Sequence, residues 1–412
     1  MATKFLFSSF FIVVILSSYF ATICFSNKFS DENYIRLISD GQPDQNILDD
    51  SPFLSLPVNI IYQFGDSLSD TGNLIRIDPF NDCAKWPYGE SFFDKPTGRC
   101  SDGLLMIDFF AKFLKLPLID AYLNKEGNFT HGVNFAVGGA TALNASILEN
   151  KYNISASTNL SLSAQLDWFK SHLHSYYVNK SDRRRKISKG LFIMGEIGGN
   201  DYNFAFLQGK TLADVYKMVP DVIQSIKVTV EEIIDLGATQ ITIPGNFPIG
   251  CVPIYLSLFK TNDSHMYDEL KCLKEYNKLV QFHNDQIQKT ILSLKKSYPN
   301  VSIIYMDYYG TFRQILGHAT LFGFDESLTQ EACCGVSDDE YKVRTDLFCG
   351  TKGVPVCENP QEHISWDGMH LTQHTYHVLA KHLMPSLNGG IKNERVYGYL
   401  ISIICLILIW GL

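Results

Sequence analysis

Directly after a short apolar run the chain reads Phe64-Gly65-Asp66-Ser67-Leu68-Ser69-Asp70-Thr71-Gly72-Asn73. Gly65 permits a tight exit from a strand, which sets the Ser67 hydroxyl at the edge of a sheet with its own N–H open to an anion. Near the other end of the chain stands Trp366-Asp367-Gly368-Met369-His370-Leu371-Thr372. Asp367 precedes His370 on a turn eased by Gly368, so its carboxylate can bond one ring nitrogen and leave the other to take a hydroxyl proton. Two more glycine-containing turns, Asn134-Phe135-Ala136-Val137-Gly138-Gly139-Ala140-Thr141 and Gly195-Glu196-Ile197-Gly198-Gly199-Asn200-Asp201, can bring the Gly139 N–H and the Asn200 amide to a common point. A nucleophile, a base with its orienter and preorganised donors are the parts of acyl transfer through a tetrahedral oxyanion, where losing one donor costs on the order of 3 kcal/mol in the barrier. Each part also has a plainer reading: a turn serine satisfying backbone groups, a chance Asp-x-x-His, glycines that let a helix pack on a strand. Their conjunction is what points to chemistry.

Such residues need elements that end where they stand. Val58 to Phe64 is a β-rich run ending at Gly65, and Leu191 to Gly195, Gln240 to Pro244 and Val301 to Met306 read as further short strands. Between them lie helical patterns. Ser101-Asp102 caps one through about Leu114, and Thr211 caps a long amphipathic segment with Val215, Met218, Val222, Ile226, Val230, Ile233 and Ile234 on its apolar face, stopped by Gly237. Others run from about His265 to Lys296 and from Thr372 to Leu387. Apolar strands alternating with helices imply right-handed crossovers and a parallel sheet covered on both faces, so the expected fold class is α/β, a single three-layer domain. Ligands of such sheets sit at the carboxyl ends of the strands, so residues immediately after strands become the candidates.

With 412 residues, 46% hydrophobic and 19% charged, the chain can bury a sizeable core, and its net charge of −8 argues against charge-driven binding of nucleic acid or anionic lipid. Residues 1–26 have the pattern of a secretory signal peptide, with a first transmembrane helix as the alternative; 27–56 is a polar segment, 57–390 the folded domain and 391–412 an apolar tail. Behind Asn388-Gly389-Gly390, that tail reads as a lipid-anchor signal, a short membrane span, or an apolar end docked on the protein. Besides Cys24 and Cys405 the body carries eight cysteines, suited to disulfides in an oxidising compartment. Sequence neighbours suggest Cys83 with Cys100 and Cys251 with Cys272; adjacent Cys333 and Cys334 reach Cys349 and Cys357 separately, in either order. No paired Cys-x-x-Cys spacing suggests zinc. Seven sequons, at Asn128, Asn144, Asn153, Asn159, Asn179, Asn262 and Asn300, are glycosylation candidates, and the crowding of Asn144, Asn153 and Asn159 suggests a surface loop. His370, His374 and His377 have a spacing that would also suit metal ligands on one helix face, although His374 and His377 read better as ordinary helix residues. Asp182-Arg183-Arg184-Arg185-Lys186 reads as a solvated loop before a strand, or else a processing site.

Gly65-Asp66-Ser67-Leu68 resembles the signature of the GDSL esterases/lipases, also called SGNH hydrolases, whose four eponymous residues fall in four ordered blocks. Ser67 matches the nucleophile, Gly139 and Asn200 the oxyanion donors beside the Ser67 N–H, and His370 with Asp367 the base and its orienter; the likeness spans roughly residues 58 to 388. It implies a flavodoxin-like α/β/α sandwich with a central parallel sheet. The long first block, Cys333-Cys334-Gly335 and Trp366-Asp367-Gly368-Met369-His370 look like the plant secreted branch, and Gln63 with Leu74-Ile75-Arg76 is similar to the acetylajmalan and sinapine esterase subgroup. The charge-free tail departs from the usual family ending. The resemblance implies a serine carboxylic-ester hydrolase acting on an ester of a plant specialised metabolite, such as an acetylated alkaloid or phenolic ester. Alternatives are a lipase on acyl lipids, an acyltransferase using the same site, and a cell-surface binding glycoprotein. Expected partners are a small-molecule ester and, through the tail, a membrane; no nucleic acid is expected, and a monomer is. The expected location is the secretory pathway, then extracellular, cell wall or vacuole, free or anchored at the cell surface. Gly-x-Ser-x-Gly, the P-loop, the dinucleotide Gly-x-Gly-x-x-Gly and His-Glu-x-x-His are all absent, so no cofactor and no metal are expected.

Overall fold

A computed structural model describes residues 58–176 and 179–385. The expectations for a signal peptide at 1–26, a polar segment at 27–56 and an apolar tail at 391–412 lie outside those residues. Residues 58–320 and 324–385 belong to one compact unit; Leu321–Gly323, the described part of a second, is a single turn.

Five strands build one sheet: β1 (Ile60–Gln63), β2 (Gly132–Asn134), β3 (Gly190–Ile193), β4 (Gln240–Pro244) and β5 (Ser302–Met306), in the order β2-β1-β3-β4-β5. Every pairing is parallel. The helices that matter for the site are α1 (Met106–Phe113), α2 (Leu162–Tyr176), α3 (Lys180–Ile187), α4 (Gly199–Leu207), α5 (Leu212–Leu236), α6 (Lys274–Ser297) and α7 (Gln373–Leu383). Alternation along β1 divides its apolar side chains between two faces. Ile60 and Tyr62, with Phe64 just beyond, join Phe169 of α2, Val222 and Ile226 of α5 and Leu279 and Ile287 of α6 in one buried core. Ile61 points the other way and is fully buried, and α7 packs against both α1 and the helix Tyr308–Gly317. The chain is thus an α/β sandwich around a parallel sheet.

The order of the strands has a consequence for function. From β1 the chain passes outward to β2 and then back to β3 on the other side, so the loops after β1 and β3 diverge and leave a crevice at their carboxyl ends. Ser67 and Asn200 follow those two strands.

Local chemistry accounts for most of the element boundaries. Thr211 accepts from the Asp214 N–H while the Asp214 carboxylate reaches back, a capping box, and Gly237 at φ +121° ends α5 where the sequence predicts. Three boundaries differ from expectation. Ser101 and Asp102 do not cap α1: Ser101 Oγ donates to the Leu371 carbonyl and Asp102 accepts from the Gln373 N–H at 2.6 Å, so both serve the start of α7. The segment from His265 is a separate turn, held away from α6 by the Cys251–Cys272 disulfide and by Asp268, which accepts from the Cys272 N–H. Asp182–Lys186 is helical, inside α3 with Asn179 as its cap, rather than a loop. A fourth difference is the helix Ala145–Tyr152, which interrupts the stretch between Asn144 and Asn153 that reads as loop in the sequence. Among the described residues no helix is long and apolar enough to cross a membrane.

The turn after β3 depends on one glycine. Gly195 has φ +58°, and a Cβ there would lie 1.8 Å from the Phe64 carbonyl oxygen, so a side chain would push the ends of β1 and β3 apart. Gly195→Ala is expected to cost about 2–4 kcal/mol of unfolding free energy in a denaturant titration, since both the left-handed backbone and the contact oppose it. A titration that overlays the unmodified protein would contradict this reading of the turn.

Candidate active site

Ser67 stands in a loop whose ends are fixed. Gly65, at φ +144°, has both of its backbone groups taken by one side chain, the Gln165 amide of α2: the Gly65 N–H donates to Oε1 at 2.9 Å and Nε2 donates to the Gly65 carbonyl at 2.8 Å. On the far side of Ser67, the buried Asp70 carboxylate accepts from the N–H groups of Gly72, Asn73, Leu74 and Gly138, at 2.6 to 2.9 Å. The last of these ties the serine loop to the turn that carries Gly139. Burial pushes the Asp70 carboxyl up, and these four N–H bonds oppose that.

Across the crevice, His370 Nε2 lies 2.8 Å from Ser67 Oγ, and His370 Nδ1 lies 2.6 Å from Asp367 Oδ2. The other carboxylate oxygen accepts from the N–H groups of Met369 and His370, at 2.9 and 2.7 Å. Burial would raise the Asp367 carboxyl, but the neighbouring His370 charge and these hydrogen bonds outweigh it and hold it at about 2. It is therefore an anion throughout the range in which the protein would work. The loop itself is braced by disulfides: Cys333 is paired with Cys357 and Cys334 with Cys349, and the N–H groups of Cys333 and Cys334 donate to the carbonyls of Ser365 and Trp366. Cys83–Cys100 and Cys251–Cys272 pair as their spacing suggests.

Asn200 lies in the first turn of α4 and shares one cavity with Ser67 and His370. Its Nδ2 donates to the Ala140 carbonyl at 3.0 Å and, more weakly, to Asp66 Oδ2 at 3.3 Å. Its Oδ1 accepts from Asn203 Nδ2, and Asn203 in turn accepts from the Tyr255 hydroxyl at 2.6 Å. The next residue, Asp201, accepts from the N–H groups of Ala142 and Leu143 at 2.8 and 3.0 Å. The Gly139 turn is thus tied at both ends, by Asp70 and by Asp201. Gly139 does not itself line the cavity, but its N–H and that of Ser67 have no hydrogen-bond partner among the described residues. Of the five residues singled out in the sequence, Ser67, Asp367 and His370 are in direct contact, Asn200 opens onto the same cavity, and Gly139 is linked to it through its neighbour Ala140, whose carbonyl accepts from Asn200.

Other candidates disperse. His374 and His377 lie against Phe324 and Phe109, at 4.7 and 4.9 Å between ring centroids. Among the described residues the only grouping with metal-ligand spacing is Cys333, Cys357 and His363, whose sulfurs are joined in a disulfide. The asparagines of all seven sequons are exposed. Gln165, Tyr255 and Tyr88, whose hydroxyl reaches Asp367, carry no sequence signal because each acts across a long stretch of chain, and Asn203, three residues from Asn200, stands in no motif that marks it. Asp70 was legible in principle, since Asp-x-Gly-Asn is an Asx-turn pattern.

Beneath the site lies a set of buried carboxyls. Burial, reinforced by the charge of Glu196, raises Asp66 well above the usual range. Burial also raises Glu196, which accepts from Ser69 Oγ at 2.8 Å. Asp201 is pushed up to about 7 by burial, against the pull of the Leu143 and Ala142 N–H groups. A carboxyl raised on folding holds its proton more tightly in the folded protein than in the unfolded chain. Its contribution to stability is complete below the unfolded value, 3.8, and is lost as pH rises through about 7. Asp201→Asn is therefore expected to lessen the fall in unfolding free energy between about pH 4 and 7, followed by urea titration. An unchanged slope would mean that Asp201 does not hold its proton there.

A sequence model of the family described as GDSL-like Lipase/Acylhydrolase matches residues 61–383. Acetylajmalan esterase 2 of Rauvolfia serpentina is 42% identical over 340 residues, covering 82% of this chain and 92% of that protein. Acetylajmalan esterase of the same plant is 41% identical over 345 residues, 82% of this chain and 88% of that protein. A GDSL esterase/lipase of Arabidopsis thaliana is 44% identical over 329 residues, 79% and 84% of the two chains.

Proposed function

This chain belongs to the GDSL-like lipase/acylhydrolase family and is a carboxylic-ester hydrolase of the plant type, and from that premise we propose that it cleaves a short-acyl ester of a plant metabolite through an acyl-enzyme on Ser67. The observation that carries this reading is the unbroken contact from Ser67 Oγ through His370 to the Asp367 carboxylate.

His370 Nε2 takes the Ser67 proton as Oγ attacks the ester carbonyl, and the imidazolium that forms is held by the Asp367 anion. The carbonyl oxygen becomes an oxyanion that rests on the N–H groups of Ser67 and Gly139 and on Asn200 Nδ2. The 3.3 Å contact from Asn200 to Asp66 is the weaker of its two and is the one given up to the oxyanion. The alcohol departs with the proton from His370, and water, activated by the same imidazole, releases the acid.

The space beside Ser67 favours a small acyl group. The cavity offers about 80 Å³ there and is walled by Phe247, Ile249, Val252, Ile254 and Phe312. An acetyl group suits that space better than a long acyl chain, in keeping with relatives named acetylajmalan esterases. Four disulfides suit an oxidising compartment and seven exposed sequon asparagines suit glycosylation, which together support passage through the secretory pathway, with residues 1–26 as the signal.

On a series of aryl esters, kcat/KM is expected to be highest for acetate and to fall with acyl length; a maximum at eight carbons or more would remove the short-acyl assignment. Ser67→Ala is expected to lower turnover at least ~10³-fold with the melting temperature preserved. Asn200→Ala is expected to lower kcat roughly 10²-fold with little change in KM, because the oxyanion exists only after attack. An effect confined to KM would take Asn200 out of the oxyanion site.

A further inference from the structure

The Asp367 carboxylate receives a hydrogen bond from outside its own loop. The Tyr88 hydroxyl donates to Oδ2 at 2.8 Å, across 279 residues of chain, to the same oxygen that faces His370 Nδ1. With the two N–H groups on Oδ1, the carboxylate then has four donors, which is about its full capacity. We propose that Tyr88 is a positioning residue for the catalytic base, whose hydroxyl fixes the Asp367 carboxylate in the plane that His370 requires and tempers its pull on the imidazolium. This rests on the reading of Ser67, His370 and Asp367 given above.

Tyr88 is held where it can do this. The residue is 2% exposed, and its ring meets Trp366, the neighbour of Asp367, edge to face at 6.0 Å. Its backbone N–H donates to the Lys85 carbonyl and the next N–H donates to Ser101. The Cys83–Cys100 disulfide closes the loop around it. Tyr88, Trp366 and the cysteines Cys83, Cys100, Cys333, Cys334 and Cys349 form one buried cluster, so the phenol and the base loop are anchored in the same packing. Burial, then the charge of Asp367, pushes the phenol well above its usual range, so it stays protonated and can only donate.

The groups facing this pair come from three directions: His370 from the Asp367 loop, Tyr376 from α7, and Asp82 near Tyr88 within its own loop. Tyr376 is likewise raised by burial and stays neutral, and the buried carboxyls Asp66 and Glu196, which line the same cavity as His370, are kept in the substitution below. A donor on Oδ2 spreads the charge of Asp367. Removing it leaves a more basic carboxylate, which favours imidazolium and moves the acid limb of the rate profile to higher pH.

The test is Tyr88→Phe in the full chain, with the ring kept and only the oxygen removed. The expected result is a roughly 10-fold fall in kcat with KM within about twofold, an acid limb of kcat moved up by about 0.5 pH unit, and a displaced downfield proton resonance for His370 Nδ1–H. Unchanged kcat and pH profile in the folded variant would overturn the proposal, as would a loss confined to KM. Should Tyr88→Phe fail to fold, 3-fluorotyrosine incorporated at position 88 keeps the shape and makes the hydroxyl a stronger donor. The acid limb must then move to lower pH, and a limb that stays in place overturns the proposal equally. His370→Ala run in parallel separates the two readings. Full activity there would remove the premise, whereas an inactive His370→Ala beside a fully active Tyr88→Phe removes only the role of Tyr88.

Discussion

A proton can pass from Ser67 to His370 only while two loops 303 residues apart hold an oxygen and a nitrogen at 2.8 Å. Most of the polar structure at the carboxyl edge of the sheet serves that separation. Neither loop is a strand or a helix, so neither has a ladder of its own to stiffen it, and each is held instead by buried side chains that take its backbone groups as partners. Gln165 and Asp70 grip the Ser67 loop on either side, and Asp367 itself accepts two N–H groups of the loop it stands on.

Carboxylates suit this task because one side chain can take several N–H groups, and Asp70 takes four. Their burial is costly, and it shows in the direction of their titration: Asp66, Asp70, Glu196 and Asp201 are all raised. Asp367 is the opposite case, held down to about 2 by His370 and its N–H donors. The same environment therefore raises four acids and lowers one, and the difference lies in who their neighbours are. Gly139 and Asn200 inherit their places from this network, since Asp70 and Asp201 tie the Gly139 turn to the serine loop and to α4.

What could be read in the sequence follows from how far apart the interacting residues lie. Ser67 and Asn200 stand in short blocks beside glycines after strands, and the Asp367/His370 pair in a short block beside Gly368 before the last helix; local spacing makes such blocks visible. β1, β3, β4 and β5 were legible as apolar runs; β2, three residues beginning at Gly132, has too little pattern of its own and exists because β1 lies beside it. Ser101 and Asp102 read as the cap of α1 because capping residues look the same whichever helix they serve, and here they serve α7. The helical state of Asp182–Lys186 was hidden because a short, strongly charged helix has no apolar face to betray it. Spacing suggested two disulfides, yet adjacent Cys333 and Cys334 left two pairings open that only the path of the chain decides.

The central claim is that folding turns Ser67 into a nucleophile, and a fluorophosphonate probe tests it most directly because it reacts only with an activated hydroxyl. The full-length protein would be incubated with the probe beside a heat-denatured control, and the labelled peptide identified by mass spectrometry. Labelling of the folded protein alone, at Ser67, is the predicted result. A folded protein that takes no label, or takes it at another serine, would contradict the account.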